Sequence, residues 1–488
     1  MDILFAVTEL APYVKVGGLA DVALSLTKAL RALGHKVTVI VPRFPGFEAG
    51  GLLVARRLTP LRLAHGDATV EVTLYDGRLA SQVDLLLVDV PSGPALWNRP
   101  HVYGPAGEEY PDNARRFAVF SRAVAEVARL RAREGMPFDV VHLNDWPTAL
   151  AAKYMQDSRV EGTRTVLTLH NAAHQGVFPK EAMTDLGLPW SDFTVEGLEF
   201  YGDVSLLKQG IVSADVVSTV SPHHAAELVT AAGGFRLDGV LRAKGRLTGV
   251  LNGVDYAVWN PATDPHLPAR YDAEDPSAKA RCKAAFRKEL GLSLQPDGAP
   301  LIVSVGRLVA QKGTDLLLGA LPRLLRSTDA QVVVCGDGDA ALIEQLEAAA
   351  TKSRGRVAFL RAAPEAVVHR AYAAADLVVV PSRYEPCGLV QLYAQRYGAL
   401  PVAHATGGLV DTVVDCDAKL QTGTGFSFDE PTEEALIGAV LRALAAREHP
   451  AFPALVRRVM RADRGWERAA RQYEALYRAA TRASSSAA

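Results

Sequence analysis

Residues 377–389 read Leu-Val-Val-Val-Pro-Ser-Arg-Tyr-Glu-Pro-Cys-Gly-Leu, and this stretch organises the second half of the chain. The apolar run at 377–380 predicts a buried strand, and Pro381, Pro386 and Gly388 predict a tight turn before a helix. Glu385 lies at the tip of that turn, near a helix N-terminus whose free N–H groups attract anions. Such a loop suits a ligand with phosphate and sugar hydroxyls, because a carboxylate accepts several hydrogen bonds. The alternative is an ordinary strand-to-helix loop with a solvated glutamate.

The composition is that of an ordinary globular protein with more than one domain. The chain has 488 residues, of which 49% are hydrophobic and 22% are charged, and its formal net charge is -1. At roughly 100 to 200 residues per domain, this length predicts two or three domains. The near-neutral charge gives no reason to expect nucleic acid or an anionic membrane as a partner.

The cysteines and the N-terminus favour a cytoplasmic location. Cys282, Cys335, Cys387 and Cys416 are far apart and form no Cys-x-x-Cys pair, so neither a zinc site nor a disulfide framework is predicted. Asp2 stands where a signal peptide carries basic residues. No apolar run approaches the ~18 residues of a membrane span, so we expect no membrane partner.

The N-terminal half alternates short apolar strands with helices. Strands are predicted over residues 3–7, 36–41, 83–90, 139–143 and 164–169, and helices over residues 19–33, 113–133 and 148–155. Fully apolar strands that alternate with helices predict a parallel sheet covered on both faces. Ligands of such sheets bind beyond the carboxyl ends of the strands, so polar residues at those ends are candidates for a site.

A glycine-containing loop follows the first predicted strand. Gly17 and Gly18 stand at a helix start, where backbone N–H groups can approach a phosphate, and Lys15 adds a cation beside them. The spacing matches neither the dinucleotide fingerprint nor a Walker loop, so a plain glycine turn is the alternative.

Three histidines, His142, His170 and His174, lie at or just beyond predicted strand ends. Asp145 and Asn171 accompany them, and polar groups clustered in this way suit recognition of a sugar. A single histidine is more often a structural residue, but the three together favour a binding site.

The C-terminal half repeats the alternation, with strands predicted over residues 301–305, 331–335, 357–360, 377–380 and 400–403. Arg307 and Lys312 follow the first of these strands, where two cations can neutralise a diphosphate. Thr406, Gly407 and Gly408 open another helix and predict a second backbone anion site. The alternative for both cations is that they are solvated surface charges.

These patterns predict an α/β protein with two Rossmann-like, doubly wound domains. We predict a first domain at residues 1–258, a linker region at 259–299 and a second domain at 300–462. A C-terminal helix at residues 463–480 is expected to pack back on the first domain, and residues 481–488 are expected to be a disordered tail. Asp-x-Asp triplets at residues 337–339 and 415–417 have no further ligands in sight, so we predict no metal and no cofactor.

Eight ordered motifs resemble bacterial glycogen synthases and the plant starch synthases. They are KVGGLADV (15–22), HLNDW (142–146), LHNAAHQG (169–176), LKQGIVSADVVSTVSP (207–222), LNGVDYAVWNPATD (251–264), GRLVAQKG (306–313), PSRYEPCGLVQLYAQRYG (381–398) and TGGLVDTV (406–413). The resemblance implies the GT-B architecture, in which two Rossmann domains face a cleft. It also implies transfer of glucose from ADP-glucose to the non-reducing 4-OH of an α-1,4-glucan such as glycogen, with retention and without a metal.

The resemblance further implies which residues contact donor or acceptor. The first-domain set is Lys15, Gly17, Gly18, Asp21, Asp145, His170, Asn171 and Asn252. The second-domain set is Arg307, Lys312, Glu385, Cys387, Gly388, Leu389, Thr406, Gly407, Gly408 and Leu409. Among these, the catalytic candidates are Glu385, His170, Arg307 and Lys312, and Glu385 is expected to hold sugar hydroxyls and favour positive charge rather than act as a nucleophile.

One departure from the family pattern bears on the donor. Ala363 stands where the family tends to carry an aromatic residue near the adenine, so UDP-glucose is the alternative donor. A non-catalytic glucan-binding protein, a sugar-nucleotide epimerase and an α-glucan phosphorylase are the other candidates, although no segment resembles the phosphorylase site for pyridoxal phosphate.

Overall fold

The computed structural model describes residues 1–91, 95–105 and 108–485, and it divides into two compact units. The first unit contains Met1–Asn252 and Trp466–Ala488, and the second contains Gly253–Gly465. Each unit has its own mainly parallel sheet, which confirms the predicted class of two Rossmann-like α/β domains. Across the described residues, every helix is too short or too polar to span a bilayer.

The strands of the first unit are β1 (Asp2–Ala6), β2 (Lys36–Pro42), β3 (Val54–Arg56), β4 (Leu61–His65), β5 (Ala68–Arg78), β6 (Asp84–Asp89), β7 (Val140–Asn144), β8 (Arg164–Leu169), β9 (Val177–Phe178), β10 (Glu199–Phe200), β11 (Asp203–Ser205), β12 (Val216–Thr219) and β13 (Thr248–Gly249). Its helices are α1 (Gly18–Ala32), α2 (Gly46–Ala49), α3 (Asn113–Arg133), α4 (Trp146–Asp157), α5 (Met183–Leu186), α6 (Leu206–Ser213), α7 (Pro222–Leu228), α8 (Asp238–Lys244) and the C-terminal helix (Trp466–Ser485).

The main sheet of the first unit has ten strands in the order β13-β12-β8-β7-β1-β2-β6-β5-β3, with β4 paired to β5. Strands β13 to β6 in this order are parallel, as predicted. The prediction of a purely parallel sheet is wrong at one edge, where β5 is antiparallel to β6, β3 and β4. There the side chains of β5 are largely exposed at both ends, unlike the continuously buried parallel strands. The strand order reverses between β1 and β7, which is where such sheets bind ligands.

His142 connects the C-terminal helix to the centre of this sheet. Its Nδ1 lies 2.7 Å from the Tyr477 hydroxyl, and its Nε2 lies 2.7 Å from Thr168 Oγ1. Burial lowers the pKa of His142 to about 3, so the ring is neutral. The interpretation of His142 as part of a sugar site is therefore wrong, because both ring nitrogens are used inside the core.

The C-terminal helix packs on α1 and β8 within the first unit. It continues to Ser485, so the segment predicted as a disordered tail is helical at residues 481–485. The rest of that prediction, at residues 486–488, lies outside the described residues.

The strands of the second unit are β14 (Leu301–Val305), β15 (Gln331–Gly336), β16 (Val357–Arg361), β17 (Leu377–Val380), β18 (Leu400–His404) and β19 (Phe426–Phe428). Its helices are α9 (Lys279–Glu289), α10 (Thr314–Ser327), α11 (Ala340–Lys352), α12 (Glu365–Ala374), α13 (Val390–Arg396), α14 (Gly408–Thr412), α15 (Glu433–Ala446) and α16 (Phe452–Arg461). The sheet order is β16-β15-β14-β17-β18-β19, with parallel pairing throughout. This is the Rossmann order, and it reverses between β14 and β17.

The segment predicted as a linker, residues 259–299, is instead packed into the core of the second unit. Trp259 stacks between His369 and Tyr393, with ring centroids 3.9 Å and 4.1 Å away. Tyr271 and Phe286 are also buried in that core. The two prolines that follow Trp259 break regular structure without exposing the chain, which explains why residue pattern alone indicated a linker.

Candidate active site

Glu9 organises the glycine loop that follows β1. Only 4% of this residue is exposed, and its Oε2 accepts hydrogen bonds from the backbone N–H groups of Val16 and Gly17, each at 2.8 Å. The Tyr103 hydroxyl donates to Oε1 at 3.0 Å. The amide of Gly17, which we expected to face an anion, is thus engaged by Glu9 in this structure, together with that of Val16. Sequence reasoning missed this residue, and the only signal for it was its position three residues beyond β1.

The other predicted residues of this loop lie together at the start of α1. Gly17 is the residue before the helix and Gly18 is its first residue. Lys15 Nζ forms an ion pair of 2.9 Å with Asp21, which lies in the first turn of α1. The carboxylate there interacts favourably with the helix dipole, and it holds the lysine beside the glycines.

Asp145 joins the loops that follow β7 and β8. Its Oδ1 accepts hydrogen bonds from the backbone N–H groups of His170 at 2.7 Å and Asn171 at 3.3 Å. Its φ of 55° is unusual for a residue other than glycine, and these two bonds stabilise that conformation. Burial raises the pKa of Asp145 to about 7, and the nearby charge of Glu9 acts in the same direction, while the two backbone bonds lower it.

His170 is half-buried at the end of β8. Its Nε2 lies 2.8 Å from Asn144 Oδ1, and burial lowers its pKa to about 3, so the imidazole is neutral. Asn171 turns the chain, because its Oδ1 accepts a hydrogen bond from Ala173 N at 3.1 Å. Thus the structure brings Asp145, His170 and Asn171 together, as the sequence predicts.

Asn252 ends the first of the two segments that form the first unit. Within the part of the chain that is described, its buried Oδ1 has no hydrogen-bond partner. Its predicted contact with substrate stays a prediction.

We expect the titration of Asp145 to appear in the stability of the protein. Because its pKa is raised in the folded state, this group's contribution is fully present below about pH 4 and is lost as the pH rises through about 7. Asp145→Asn removes the titration and keeps the Oδ1 acceptor. Between pH 5 and pH 8, this group should therefore lower the free energy of unfolding of wild type by about 2 kcal/mol but leave that of Asp145→Asn unchanged. The difference in free energy of unfolding, variant minus wild type, should increase by the same amount.

Urea denaturation of the full chain at the two pH values measures this difference. Asp203→Asn, which changes an exposed aspartate on β11, controls for loss of a charge. An Asp145→Asn difference that is the same at both pH values would show that Asp145 does not retain a proton in the folded protein.

In the second unit, Glu385 lies at the reversal of strand order, on the loop after β17. Its Oε2 accepts hydrogen bonds from Lys312 Nζ at 2.5 Å and from Ser382 Oγ at 2.9 Å, and the residue is 6% exposed. Among the described residues, Oε1 accepts no hydrogen bond. A small cavity at the ends of β14 and β17 is lined by Arg307, Lys312, Ser382 and Glu385.

Arg307 and Lys312 both lie on the loop after β14, as predicted, but their environments differ. Lys312 is half-buried and paired with Glu385, whereas Arg307 is exposed and reaches Gln311 Oε1 at 3.5 Å. Gln311 accepts a backbone hydrogen bond from Arg383 at 2.8 Å, which holds the two loops together. Sequence reasoning placed both cations at the site but missed that Glu385 neutralises one of them.

The loop after β18 packs directly on the Glu385 loop. Gly408 N–H donates to the carbonyl of Glu385 at 3.0 Å, so this predicted phosphate donor is engaged in the structure. Gly407 has a φ of 47°, and a Cβ on Gly408 would lie 2.4 Å from Cys387 Cα. Thr406 and Leu409 are buried beside them.

The remaining predicted residues, Cys387, Gly388 and Leu389, complete the turn before α13. Cys387 is 4% exposed, and Gly388 has a φ of 75°, which favours glycine. Leu389 is the residue that precedes α13. The structure therefore gathers all predicted second-unit residues on the loops and helix starts that follow the strands, at the carboxyl end of one sheet.

The chain is similar to known sugar transferases over nearly its whole length. Residues 2–243 match the family model for the starch synthase catalytic domain, and residues 287–452 match that for glycosyl transferases group 1. The glycogen synthase of Anaeromyxobacter sp. (strain Fw109-5) is 44% identical over 485 residues, which cover 98% of this chain and 99% of that protein. The chain belongs to the glycogen synthase family. The resemblance inferred from the eight motifs is confirmed.

As a member of the glycogen synthase family, the chain is a glucosyltransferase of glycogen synthesis. The glycogen synthase of Thioalkalivibrio sulfidiphilus (strain HL-EbGR7) is also 44% identical, over 98% of this chain and 99% of its own length. Among solved structures, the catalytic domain of starch synthase IV from Arabidopsis thaliana bound to ADP and acarbose is 32% identical. It has a TM-score of 0.89, and the match covers 98% of this chain and 99% of that one.

Proposed function

We propose that this glycogen synthase uses ADP-glucose as donor and adds the glucose, with retention, to the non-reducing 4-OH of an α-1,4-glucan. The observation that carries the proposal is the buried Glu385 carboxylate, which has one oxygen held by Lys312 and Ser382 and the other without a hydrogen bond among the described residues. The related plant starch synthase IV bound to ADP and acarbose supports the choice of nucleotide and of glucan. The proposal includes the cytoplasmic location expected from the sequence, and it needs no metal or other cofactor.

The second unit is assigned to the donor. The Lys312 ammonium has three N–H donors, so it can keep its bond to Glu385 and still donate to a phosphate oxygen. Exposed Arg307 can bind the same diphosphate with its planar fork of donors. When the bond between the sugar and the phosphate breaks, negative charge grows on the ADP, and these cations stabilise it.

Glu385 is assigned to the sugar. Its Oε1 can accept a hydrogen bond from a glucose hydroxyl, and its negative charge favours the oxocarbenium-like transition state. Retaining glycosidases use a carboxylate as nucleophile. Here Oε2 is already bound by a lysine and a serine, so we assign Glu385 a positioning and electrostatic role. The leaving phosphate then takes the proton of the acceptor hydroxyl.

The first unit is assigned to the acceptor and to part of the donor sugar. Asp145 is the proposed contact for the acceptor, and His170 and Asn171 are the proposed contacts for the glucose. Lys15, Gly17 and Gly18 form the loop proposed to approach the diphosphate, which requires that the amide of Gly17 exchange its bond to Glu9.

Incorporation of radiolabelled glucose into glycogen tests the proposal. The enzyme is incubated with glycogen and either ADP-glucose or UDP-glucose, with and without EDTA. We expect polymer-bound label chiefly from ADP-glucose, unchanged by EDTA and released by an α-1,4-specific amylase. A preference for UDP-glucose would overturn the donor assignment, and loss of label in EDTA would overturn the metal-free reaction. Glucan binding without label from either donor would favour the non-catalytic alternative.

A further inference from the structure

Asn144 is a fully buried residue at the end of β7, and it connects β1 to His170. Its Nδ2 donates a hydrogen bond to the backbone carbonyl of Ala6 at 2.9 Å, and its Oδ1 lies 2.8 Å from His170 Nε2. The backbone of Asn144 is held as well, because its N–H donates to Thr148 Oγ1 at 2.7 Å. The side-chain amide of Asn144 is therefore held in one orientation by its two hydrogen-bond partners.

These contacts decide which nitrogen of His170 carries its proton. A backbone carbonyl only accepts hydrogen bonds, so the NH₂ side of the Asn144 amide must face Ala6. The oxygen then faces His170 Nε2, which must donate. A neutral imidazole has one ring proton, so with that proton on Nε2 the other nitrogen, Nδ1, is an acceptor.

The rest of His170 is equally constrained. Its backbone N–H donates to Asp145 Oδ1 at 2.7 Å, so neither the chain nor the ring can turn without loss of a bond. Within the described ranges, no hydrogen bond to Nδ1 is found, and the side chain is half-buried. The structure thus presents an oriented acceptor that has no protein partner.

We propose that Asn144 is a positioning residue that keeps His170 neutral with its proton on Nε2, so that Nδ1 accepts a hydrogen bond from a hydroxyl of the donor glucose. This inference rests on the proposed function, which assigns His170 to the sugar. A neutral ring also suits the reaction, because an imidazolium would oppose the positive charge that develops on the sugar.

Asn144→Asp tests the proposal in the full chain. The variant has nearly the same shape, but its carboxylate lies beside Nε2 and favours the imidazolium, in which Nδ1 is protonated and cannot accept. NMR of protein labelled with ¹⁵N in the histidine rings reports both nitrogens, and the His170 signals are identified by their absence in His170→Gln. In wild type, Nε2 of His170 should be protonated and Nδ1 unprotonated from pH 6 to 8. In Asn144→Asp, the His170 ring should titrate in that range.

Transfer kinetics supply the second measurement. For Asn144→Asp we expect kcat/KM for the donor to fall by about tenfold or more relative to wild type at pH 6 and to recover partly at pH 8. Of the titratable groups next to His170, buried His142 is neutral in this range, whereas Asp145 has a pKa of about 7 and responds to a new carboxylate at residue 144. The ring ¹⁵N signals, which report His170 directly, therefore decide whether the pH dependence of the rate follows His170. Gln331→Glu is the matched control, since it places an acid at another buried amide, at the start of β15.

Four outcomes would overturn the proposal. A proton on Nδ1 in wild type would contradict the inferred tautomer, whatever the activity. An imidazolium in Asn144→Asp with unchanged kinetics at pH 6 would contradict the positioning role, as would an equal loss in Gln331→Glu. If Asn144→Asp does not fold, Asn144→Ala is measured instead, and a single unchanged tautomer there would contradict the role of Asn144. Absence of glucosyl transfer in wild type would refute the proposed function but would leave the ring measurement interpretable.

Discussion

Replacement of Glu385 by alanine should lower the transfer rate by about 1,000-fold or more while the protein stays folded. The substitution removes the carboxylate proposed to hold the sugar, and it also removes the partner of Lys312, whose Nζ lies 2.5 Å from Oε2. Loss of preorganised charge acts on the transition state, so the decrease should appear mainly in kcat. Initial rates of glucose incorporation at saturating donor measure this effect, and circular dichroism verifies folding.

Two further variants sharpen the result. Glu385→Gln keeps the size of the side chain and can still accept from Ser382, but it lacks the charge, so it separates shape from electrostatics. Glu347→Ala changes an exposed glutamate on α11 and should leave the rate within twofold of wild type. A Glu385→Ala variant that retains a near-normal rate would refute the assigned role.

Gly408→Ala should both destabilise the second unit and disable the enzyme. An added Cβ would lie 2.4 Å from Cys387 Cα and 2.4 Å from its carbonyl oxygen. These backbone atoms belong to the Glu385 loop, so they cannot move unless that loop is displaced. We expect a loss of about 3 kcal/mol in stability, at the upper end of overpacking effects. We also expect a decrease of about 100-fold in rate, because a displacement of about 1 Å at a catalytic group is enough for that.

Gly438→Ala provides the matched control for this glycine. Gly438 lies in α15, and a Cβ there meets nothing within 4 Å. The substitution should raise stability by about 0.5–1 kcal/mol, because alanine favours a helix, and it should leave the rate unchanged. Thermal unfolding and the incorporation assay are measured on both variants. Equal stability of Gly408→Ala and wild type would show that the two loops are not packed as described.

Much of the fold follows from local pattern. Continuous apolar runs such as Leu301–Val305 and Leu377–Val380 are strands at the predicted residues, because such segments are stable only when buried on both faces. The long helix Asn113–Arg133 also has the predicted bounds. The edge strands at residues 54–78 were missed, since strands with one exposed face carry a weaker signal.

The candidate site also contains residues that local pattern indicated correctly in position and one that it did not. Residue type and position beyond a strand made His170, Arg307, Lys312 and Glu385 candidates, because parallel sheets place strand-end loops on one edge. Their contact with substrate stays a prediction. The same reasoning included His142 wrongly, since a residue near the end of a strand can have its side chain either in the core or at the ligand edge.

Residue pattern was therefore sufficient for most of the continuously apolar strands, for the glycine turns and for the polar residues at the strand ends, all of which depend on neighbours in sequence. The pairings that give these residues their chemistry depend on strand order and were decided only in three dimensions. Lys312 and Glu385 are 73 residues apart, and they meet because β14 and β17 are adjacent. Likewise, Asn144 meets Ala6 and His170 because β7 lies between β1 and β8. Hydrogen bonds and ion pairs act over about 3 Å, so contacts of this kind become visible only when the sheet is assembled.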